Sequence, residues 1–237
     1  MITHCGDAFY GAHFALKNPR MSSSIRLPLP PGIPATRTHV EQEILKAVDT
    51  ASEAQERKQA LWRLALFYHE QAKRNDLAAA VLQLMIQEFD DPENTAVVYY
   101  ALGRIAQADE KWAVALEQYE KGLLELPKQP DTLYFLRNNA GFCLNALGRF
   151  REGESYCRWS LEINSRRPNA FKNLGISFYG QGDLRGAAWC WLEALNVDPD
   201  YSQARSLLDE LLIEHPALRA QCVSIQLELF LRNTRRS

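Results

Sequence analysis

The amino-acid sequence predicts an all-α fold, a solenoid of antiparallel helix pairs, and three observations support this prediction. From about residue 38 onward, apolar residues recur at intervals of three and four, as on one face of an amphipathic helix. No segment shows the alternating pattern of two strands joined by a hairpin turn. Pairs made of leucine or alanine and a small residue recur at a nearly constant interval, which is typical of repeated units.

The first 37 residues differ from the rest in composition. The segment 21–37, MSSSIRLPLPPGIPATR, is rich in serine and proline, and its prolines disfavour both helix and sheet pairing. We therefore expect residues 1–37 to form a flexible Pro/Ser-rich N-terminal arm. The Pro-x-x-Pro spacing leaves a second interpretation open, in which the arm is a ligand for an aromatic groove.

Residues 38–57 are expected to form a leading helix. The stretch THVEQEILKAVDTA (38–51) places Val40, Ile44, Leu45 and Val48 on one face. That face is expected to pack against the first of the repeated units that follow.

The repeated units are marked by four dipeptides, Leu64-Ala65, Leu102-Gly103, Ala140-Gly141 and Leu174-Gly175. The small residues are separated by 38, 38 and 34 positions. Each dipeptide lies in one predicted helix and is followed, after a short turn, by a second helix with a small and an aromatic residue. This is a helix–turn–helix unit of about 34 residues, and the two longer units each gain about one helical turn.

The segment 168–201 resembles the tetratricopeptide repeat family across the family's whole pattern: Phe171, Leu174, Gly175, Phe178, Ala187, Trp191, Ala194 and Pro199. The segment 96–133 matches nearly as well, whereas 134–167 has Arg137 at the bulky first position. The segment 58–95 aligns only after about three extra residues near AKRND are allowed. The resemblance implies a right-handed α-α superhelix with four repeats: 58–95, 96–133, 134–167 and 168–201.

The glycines of these units admit a structural and a nucleotide-binding interpretation. Gly180, Gly182 and Gly186 fall one residue off the dinucleotide fingerprint, but a helix precedes them where a strand is required. The structural interpretation is therefore favoured, with Gly180 and Gly182 in a turn where positive φ is useful. We expect Gly175 and Ala187 to lie where the helices touch, and Phe178 and Trp191 to fill the space between units. The predicted repeat-packing residues are Gly103, Gly141, Gly175, Ala187 and Trp191.

Residues 202–237 are expected to form C-terminal capping helices or a degenerate fifth repeat. Asp209 stands where the family pattern has glycine or alanine. The last predicted helix, 217–233, is apolar over more than one face, whereas a terminal capping helix normally exposes a polar face to solvent. Two interpretations stay open: this helix meets a second copy or a partner, or it folds back onto the array.

Composition and motifs argue against catalysis and against several kinds of partner. The formal net charge of −2 and a pI near 6.2 provide no general attraction to nucleic acid or to an anionic membrane. Five cysteines without a CxxC pair suggest reduced thiols and a cytoplasmic location, and Cys143 and Cys157 are better explained by packing than by chemistry. We expect no enzyme activity, no cofactor, no metal site and no membrane-spanning helix, since the corresponding motifs and apolar runs are missing.

The resemblance implies a concave groove lined by the first helix of each unit. A pair of asparagines in register can bond the N–H and C=O of an extended peptide, while cations take carboxylates and aromatic rings seat apolar anchors. The asparagines are open to the alternative of surface polarity or interhelix bonding. Ala101 stands where relatives that grip a C-terminal carboxylate need asparagine, so that clamp is not expected. The groove candidates are Trp62, Arg63, Tyr100, Arg104, Asn138, Asn139, Phe142, Lys172, Asn173 and Tyr179.

The sequence thus predicts a non-catalytic scaffold or adaptor that binds an extended peptide or a partner helix of another protein. One alternative is a self-assembling structural protein that dimerises through its apolar C-terminal helix. A weaker alternative is an RNA-binding helical repeat, for which the only basic clusters are Arg166-Arg167 and RNTRR (232–236).

Replacing Gly175 with leucine tests the register of the repeats. The larger side chain should overpack the contact between the two helices and destabilise the protein by about 1–3 kcal/mol or more. A thermal unfolding curve would measure this change, and an unchanged melting temperature would contradict the placement of the units.

Overall fold

The computed structural model of the protein describes residues 38–234, with side chains to residue 226, and the predicted N-terminal arm lies outside this range. Within the described range the chain forms eleven α-helices and no β-strand, which confirms the predicted all-α fold. A π-helical turn, Phe67–Gln71, follows α2, and a 3-10 turn, Pro216–Leu218, precedes α11. The helices are α1 His39–Thr50, α2 Ala54–Leu66, α3 Asn75–Glu88, α4 Pro92–Ala108, α5 Trp112–Leu124, α6 Pro130–Ala146, α7 Phe150–Ile163, α8 Pro168–Gly180, α9 Leu184–Val197, α10 Ser202–Glu214 and α11 Arg219–Thr234.

Helices α2 to α9 form four successive pairs, α2/α3, α4/α5, α6/α7 and α8/α9, in which each helix packs on the next. We call α2, α4, α6 and α8 the first helices and their partners the second helices. α4 packs directly on α6, and α6 on α8, whereas α5 and α7 each pack on α6. Because consecutive first helices lie closer together than consecutive second helices, the array curves toward the first helices, which line its concave side.

The small residue of a first helix makes close contact with a larger side chain on the second helix of the same pair. A Cβ atom at Gly103 would overlap the ring of Tyr119, and one at Gly175 would overlap the indole of Trp191. Trp191 is only 2% exposed, and its indole N–H donates a 3.1 Å hydrogen bond to the carbonyl oxygen of Lys172. The tryptophan thus lies within its own pair, and it also belongs to the buried cluster that α9 shares with α10 and α11.

The difference between the 38-residue and 34-residue units lies at the start of the first helices. α4 and α6 have 17 residues each, whereas α8 has 13. Each of the longer helices starts eleven residues before its glycine, Gly103 or Gly141, whereas α8 starts seven residues before Gly175. One additional N-terminal turn accounts for the difference and leaves the contact between the helices unchanged.

These N-terminal turns carry carboxylates that link neighbouring units. The Glu93 carboxylate, in the first turn of α4, accepts hydrogen bonds of 2.7 and 3.3 Å from the backbone N–H groups of Lys128 and Gln129, at the start of α6. Asp131, at the corresponding place in α6, forms a 2.8 Å salt bridge with Arg167 at the start of α8. A negative charge near a helix N-terminus is favourable, so each longer helix supports the start of the next.

Three of the turns inside the pairs have the same geometry, and the first one differs. Glu110, Gly148 and Gly182 adopt positive φ seven residues after the small residue, and the next N–H bonds to the carbonyl five residues back. In the α2/α3 pair the positive φ falls on Lys73, eight residues after Ala65, and the Arg74 N–H reaches back six residues. The π-helical turn absorbs this one additional residue. The expected three-residue insertion near AKRND is therefore wrong.

Two other expectations are corrected at the ends of elements. Gly180 is the last residue of α8 and is not at positive φ; its lack of a side chain admits the ring of Phe150, which a Cβ would overlap. Helix α2 begins at Ala54, inside the segment 38–57 that was expected for the leading helix alone. The Glu56 carboxylate, which accepts a hydrogen bond from the backbone N–H of Ser52, favours this earlier start.

The leading helix α1 is held by one apolar face and one buried polar contact. Ile44, Leu45 and Val48 are buried, whereas Val40 is 46% exposed and does not belong to that face. Glu41 is buried instead, and its carboxylate accepts a 2.9 Å hydrogen bond from the hydroxyl of Tyr68 in the π-helical turn.

The C-terminal helix packs back onto the array. Cys222 and Ile225 of α11 are buried in a cluster with α9 and α10, whereas Val223 is 65% exposed. The described part of α11 therefore agrees with the interpretation in which the last helix folds back onto the array. A dimer through α11 would therefore have to use a face other than that of Cys222 and Ile225.

Replacing Tyr68 with phenylalanine tests the anchoring of α1. The Glu41 carboxylate would lose a hydrogen bond in a buried position, and we expect a loss of about 1–3 kcal/mol of unfolding free energy. Amide hydrogen exchange should accelerate mainly in α1. Tyr99, which is half-buried on α4, provides the matched Tyr→Phe control; equal effects of the two substitutions would contradict the anchoring role.

Candidate functional site

The candidate site is the concave surface of the first helices, which we call the first-helix row. All ten predicted groove residues lie on α2, α4, α6 or α8. They differ in exposure, from the exposed Arg63 to the deeply buried Asn173, and this difference separates groups that can meet a ligand from groups that hold the helices together.

At the N-terminal end of the row, arginines lie beside aromatic rings. Trp62 packs against the core while the neighbouring Arg63 is exposed. On α4, the Arg104 guanidinium donates a 3.1 Å hydrogen bond to the hydroxyl of Tyr100. The Tyr100 ring in turn lies 5.7 Å from the ring of Phe135 on α6, measured between centroids. This end of the row combines positive charge with apolar surface.

A buried polar network joins α6 to α8 in the middle of the row. The Asn145 side-chain N–H donates to the carbonyl oxygen of Asn173 at 2.8 Å, and the Ser177 hydroxyl donates to Asn145 Oδ1 at 2.8 Å. The Asn173 amide donates to Oδ1 of Asn138 at 3.0 Å. None of these four residues is more than 6% exposed, so the network lies beneath the surface and fixes the two helices relative to each other.

For Asn173, the network supports interhelix bonding, the second of the two interpretations of the asparagines. The side-chain N–H group of Asn173 is used in interhelix bonding and does not point freely into the groove. Asn139, also buried, donates to the carbonyl oxygen of Phe135 in its own helix at 2.8 Å. Oδ1 of Asn173 has no hydrogen-bond partner among the described residues, but it is buried with the rest of the network.

Lys172 connects three helices. Its ammonium group donates a 3.2 Å hydrogen bond to Oε1 of Gln203 on α10 and lies 5.5 Å from the ring centroid of Phe142 on α6. The Phe142 ring is held edge-on by Trp112, at 5.6 Å between centroids. A cation over an aromatic face in a largely desolvated position is a favourable arrangement.

Helix α10 extends the row by one further element, which the sequence analysis did not include in the groove. Its Glu214 carboxylate accepts a 3.0 Å hydrogen bond from the hydroxyl of Tyr179, and this bond raises the pKa of that hydroxyl. Gln203 also accepts a hydrogen bond from the hydroxyl of Tyr201, at 2.9 Å. The sequence does contain an indication that α10 continues the series of first helices. Gln203 follows Asn169, which lies at the start of α8, by one repeat interval of 34 residues.

The basic pair Arg166-Arg167 does not form an open cationic cluster. Arg167 is bonded to Asp131, and its guanidinium lies 4.7 and 5.1 Å from the ring centroids of Phe135 and Tyr134. This arginine therefore serves the contact between α6 and α8. The second basic segment, RNTRR, lies beyond the described side chains.

The cysteines and acidic residues of the described range do not form a reactive site. Burial raises the pKa of the Cys143 and Cys157 thiols to about 12, so both remain protonated at neutral pH. Cys157 fills the space beside Gly141, where a Cβ would overlap its sulfur. The part of the chain that the structure describes contains no group of three His, Cys, Asp or Glu residues arranged for a metal ion.

A transmembrane helix must be long and apolar enough to cross a lipid bilayer. Among the described helices, none combines the length and the apolar character that a transmembrane segment needs.

Comparisons with known proteins agree with this architecture. None of the protein-family models matches the chain. The photosystem I assembly protein Ycf3 of Rippkaea orientalis is 32% identical over 128 residues, which cover 48% of this chain and 73% of the relative. Among solved structures, the C-terminal part of a TPR repeat-containing protein from Cytophaga hutchinsonii has a TM-score of 0.58 at 15% identity, over 81% of this chain and 74% of that one. MamA from Desulfovibrio magneticus has a TM-score of 0.57 at 14% identity, over 76% and 97% of the two chains. The two structures share the fold.

Alanine substitutions at Asn173 and Asn139 should have different effects on stability. Asn173→Ala removes an interhelix hydrogen bond from a buried network, and we expect a loss of about 1–3 kcal/mol. Asn139→Ala removes only a bond to its own helix and should stay within about 1 kcal/mol of the wild type. Urea unfolding followed by circular dichroism would compare them, and equal losses would contradict the assignment of Asn173 to the network.

Proposed function

The chain belongs to the tetratricopeptide repeat family, and from this premise we propose that it is a non-catalytic adaptor whose first-helix row binds an extended peptide or a helix of another protein. The proposed contact groups are the exposed and half-buried members of the row. The buried asparagines Asn138, Asn139 and Asn173 form its floor.

One observation carries the proposal: at the N-terminal end of the row, positive charges lie beside aromatic rings. Arg104 is bonded to Tyr100, whereas Lys172, which lies over Phe142, is buried and belongs with the floor. Arg63, exposed next to Trp62, forms no salt bridge with any described residue. Toward the other end, α10 adds the Glu214 carboxylate, which accepts the hydrogen bond from Tyr179.

This arrangement favours a ligand with acidic and apolar side chains. Carboxylates of the ligand would pair with the arginines, which bind them with two parallel hydrogen bonds in the best geometry. Its apolar side chains would pack on the rings of Tyr100 and Phe142.

The relationship to an assembly protein supports an adaptor role. The relative from Rippkaea orientalis is named for photosystem I assembly, an activity that requires contacts with other proteins. We extend to this chain the general role, holding a protein partner, and leave the identity of that partner to experiment. The cytoplasmic location inferred from the cysteines stays a prediction.

Charge reversal on the row tests the proposal. Random peptides displayed on phage would be selected against the wild-type chain, and we expect enrichment of sequences that combine acidic and aromatic or aliphatic residues. The variant R63E/R104E should bind the enriched peptides at least about tenfold more weakly, as measured by fluorescence anisotropy, because each reversal opposes a carboxylate.

The matched control reverses two exposed arginines on the second helices, Arg151 and Arg185. The variant R151E/R185E changes the net charge by the same amount and should bind the peptides as the wild type does. If both variants lose affinity equally, general charge and not the row determines binding. If neither loses affinity, the binding surface lies elsewhere.

A further inference from the structure

The charge of the first-helix row changes sign along its length when α10 is included as its last element. One position of each helix shows this, the residue directly after the small residue, whose place Asp209 takes on α10. It is Arg104 on α4, Phe142 on α6, Ile176 on α8 and Glu210 on α10, at intervals of 38, 34 and 34 residues. The first three are half-buried and Glu210 is exposed. Equivalent places on four successive helices thus carry a cation, an aromatic ring, an aliphatic side chain and an anion.

The acidic end of the row consists of Glu210 and Glu214. Residues four apart lie on the same face of a helix. The hydrogen bond to Glu214 and the nearby charge of Glu210 both raise the pKa of the Tyr179 hydroxyl, so this face of α10 is the one turned toward α8 and the row. Both glutamates are exposed, and neither forms a salt bridge with a described residue. Their charges are therefore available to a cation outside the array.

Apolar surface lies between the two charged ends. The side chain of Tyr179 is 41% exposed, and Ile213, beside the two glutamates on α10, is 71% exposed. Phe142 and Ile176 are each half-buried on the helices between α4 and α10. A segment that runs from the arginines to the glutamates therefore crosses aromatic and aliphatic side chains on its way.

We propose that the segment bound by the row carries acidic residues at one end and basic residues at the other, with apolar residues between them. This inference rests on the proposed function and adds the order of the charges. The ligand's carboxylates would pair with Arg63 and Arg104, and its cations with Glu210 and Glu214. Such a segment has one favourable placement, because the reversed placement brings like charges together at both ends.

A short extended segment is long enough to meet both ends. Helix α4 packs on α6 and α6 on α8, while hydrogen bonds from Lys172 and Tyr179 join α8 to α10. With neighbouring helices about 8–10 Å apart, the three steps from Arg104 to Glu210 amount to at most about 30 Å. An extended chain advances about 3.3 Å per residue, so about nine residues are sufficient.

Charge reversal on α10 tests this inference. We expect the peptides that phage display enriches on the wild type to hold their acidic and basic residues in separate halves. The variant E210K/E214K should bind these peptides at least about tenfold more weakly in fluorescence anisotropy, because each lysine opposes a cation of the peptide.

The matched control is E117K/E162K, which reverses two exposed glutamates on the second helices α5 and α7. It changes the net charge by the same amount and should bind the peptides as the wild type does. Thermal unfolding followed by circular dichroism would verify that each variant is folded. Equal losses in E210K/E214K and in the control would overturn the inference, since net charge alone would then explain them.

Exchanging the charges of the peptide tests the placement. A peptide whose basic residues are replaced by glutamate should regain affinity for E210K/E214K but not for R63E/R104E. A peptide whose acidic residues are replaced by lysine should regain affinity for R63E/R104E only. If the altered peptides restore neither variant, or each restores both equally, the proposed order of charges is wrong.

The same measurements separate this inference from the proposed function. If R63E/R104E weakens binding and E210K/E214K does not, the row still binds acidic peptides, and only the ordered pair of charged ends is refuted. Enriched peptides without basic residues would have the same meaning. If neither variant weakens binding, the binding surface lies elsewhere and both proposals fail.

Discussion

In three of the four pairs, a glycine on the first helix meets a bulkier side chain sixteen residues later on the second helix, and this contact sets how the pair closes; α2 has Ala65 in the corresponding place. The partner differs between pairs: Gly175 meets Trp191, whereas Gly141 meets the much smaller Cys157. In the same pair, Gly153 on α7 leaves room for the Asn145 amide, which a Cβ there would overlap, and that amide donates to α8. The polar contact between the third and fourth pairs thus depends on a glycine at this position.

The polar contact between α6 and α8 also limits which groups of the candidate binding surface can meet a ligand. Because the amide groups in the middle of the row are occupied in joining α6 to α8, the groups left to meet a ligand are cationic and aromatic. Lys172 is a cation that belongs to the floor, since it is buried and its ammonium group donates to Gln203 and lies over Phe142. In the adaptor that we propose, recognition therefore uses the rim of the row, and the buried floor supports the fold.

The fold was predictable because the packing contacts restrict residue size, and size is visible in a sequence. Gly103 and Gly141 mark their pairs for that reason. The partners of polar side chains were not predictable in the same way, since Asn173 has the same appearance whether it bonds a ligand or Asn138. The role of Gly180 also depended on a residue of another pair, Phe150, which no local pattern reveals. Helix α10 was not assigned to the row because Asp209 replaces the small residue by which the other first helices are recognised.

The π-helical turn after α2 shows how such an array can change length during evolution. Additional residues in this chain occur in two forms: a full helical turn at the free end of α4 or α6, and a single residue absorbed by Phe67–Gln71. Both keep the packing face of the helix in the same direction, whereas two residues inserted into a regular helix would rotate everything beyond them by about 200°. Insertions near the packing contacts should therefore persist only as whole turns or as single bulges. The lengths of related repeats are then expected to cluster around a few values and not to vary continuously.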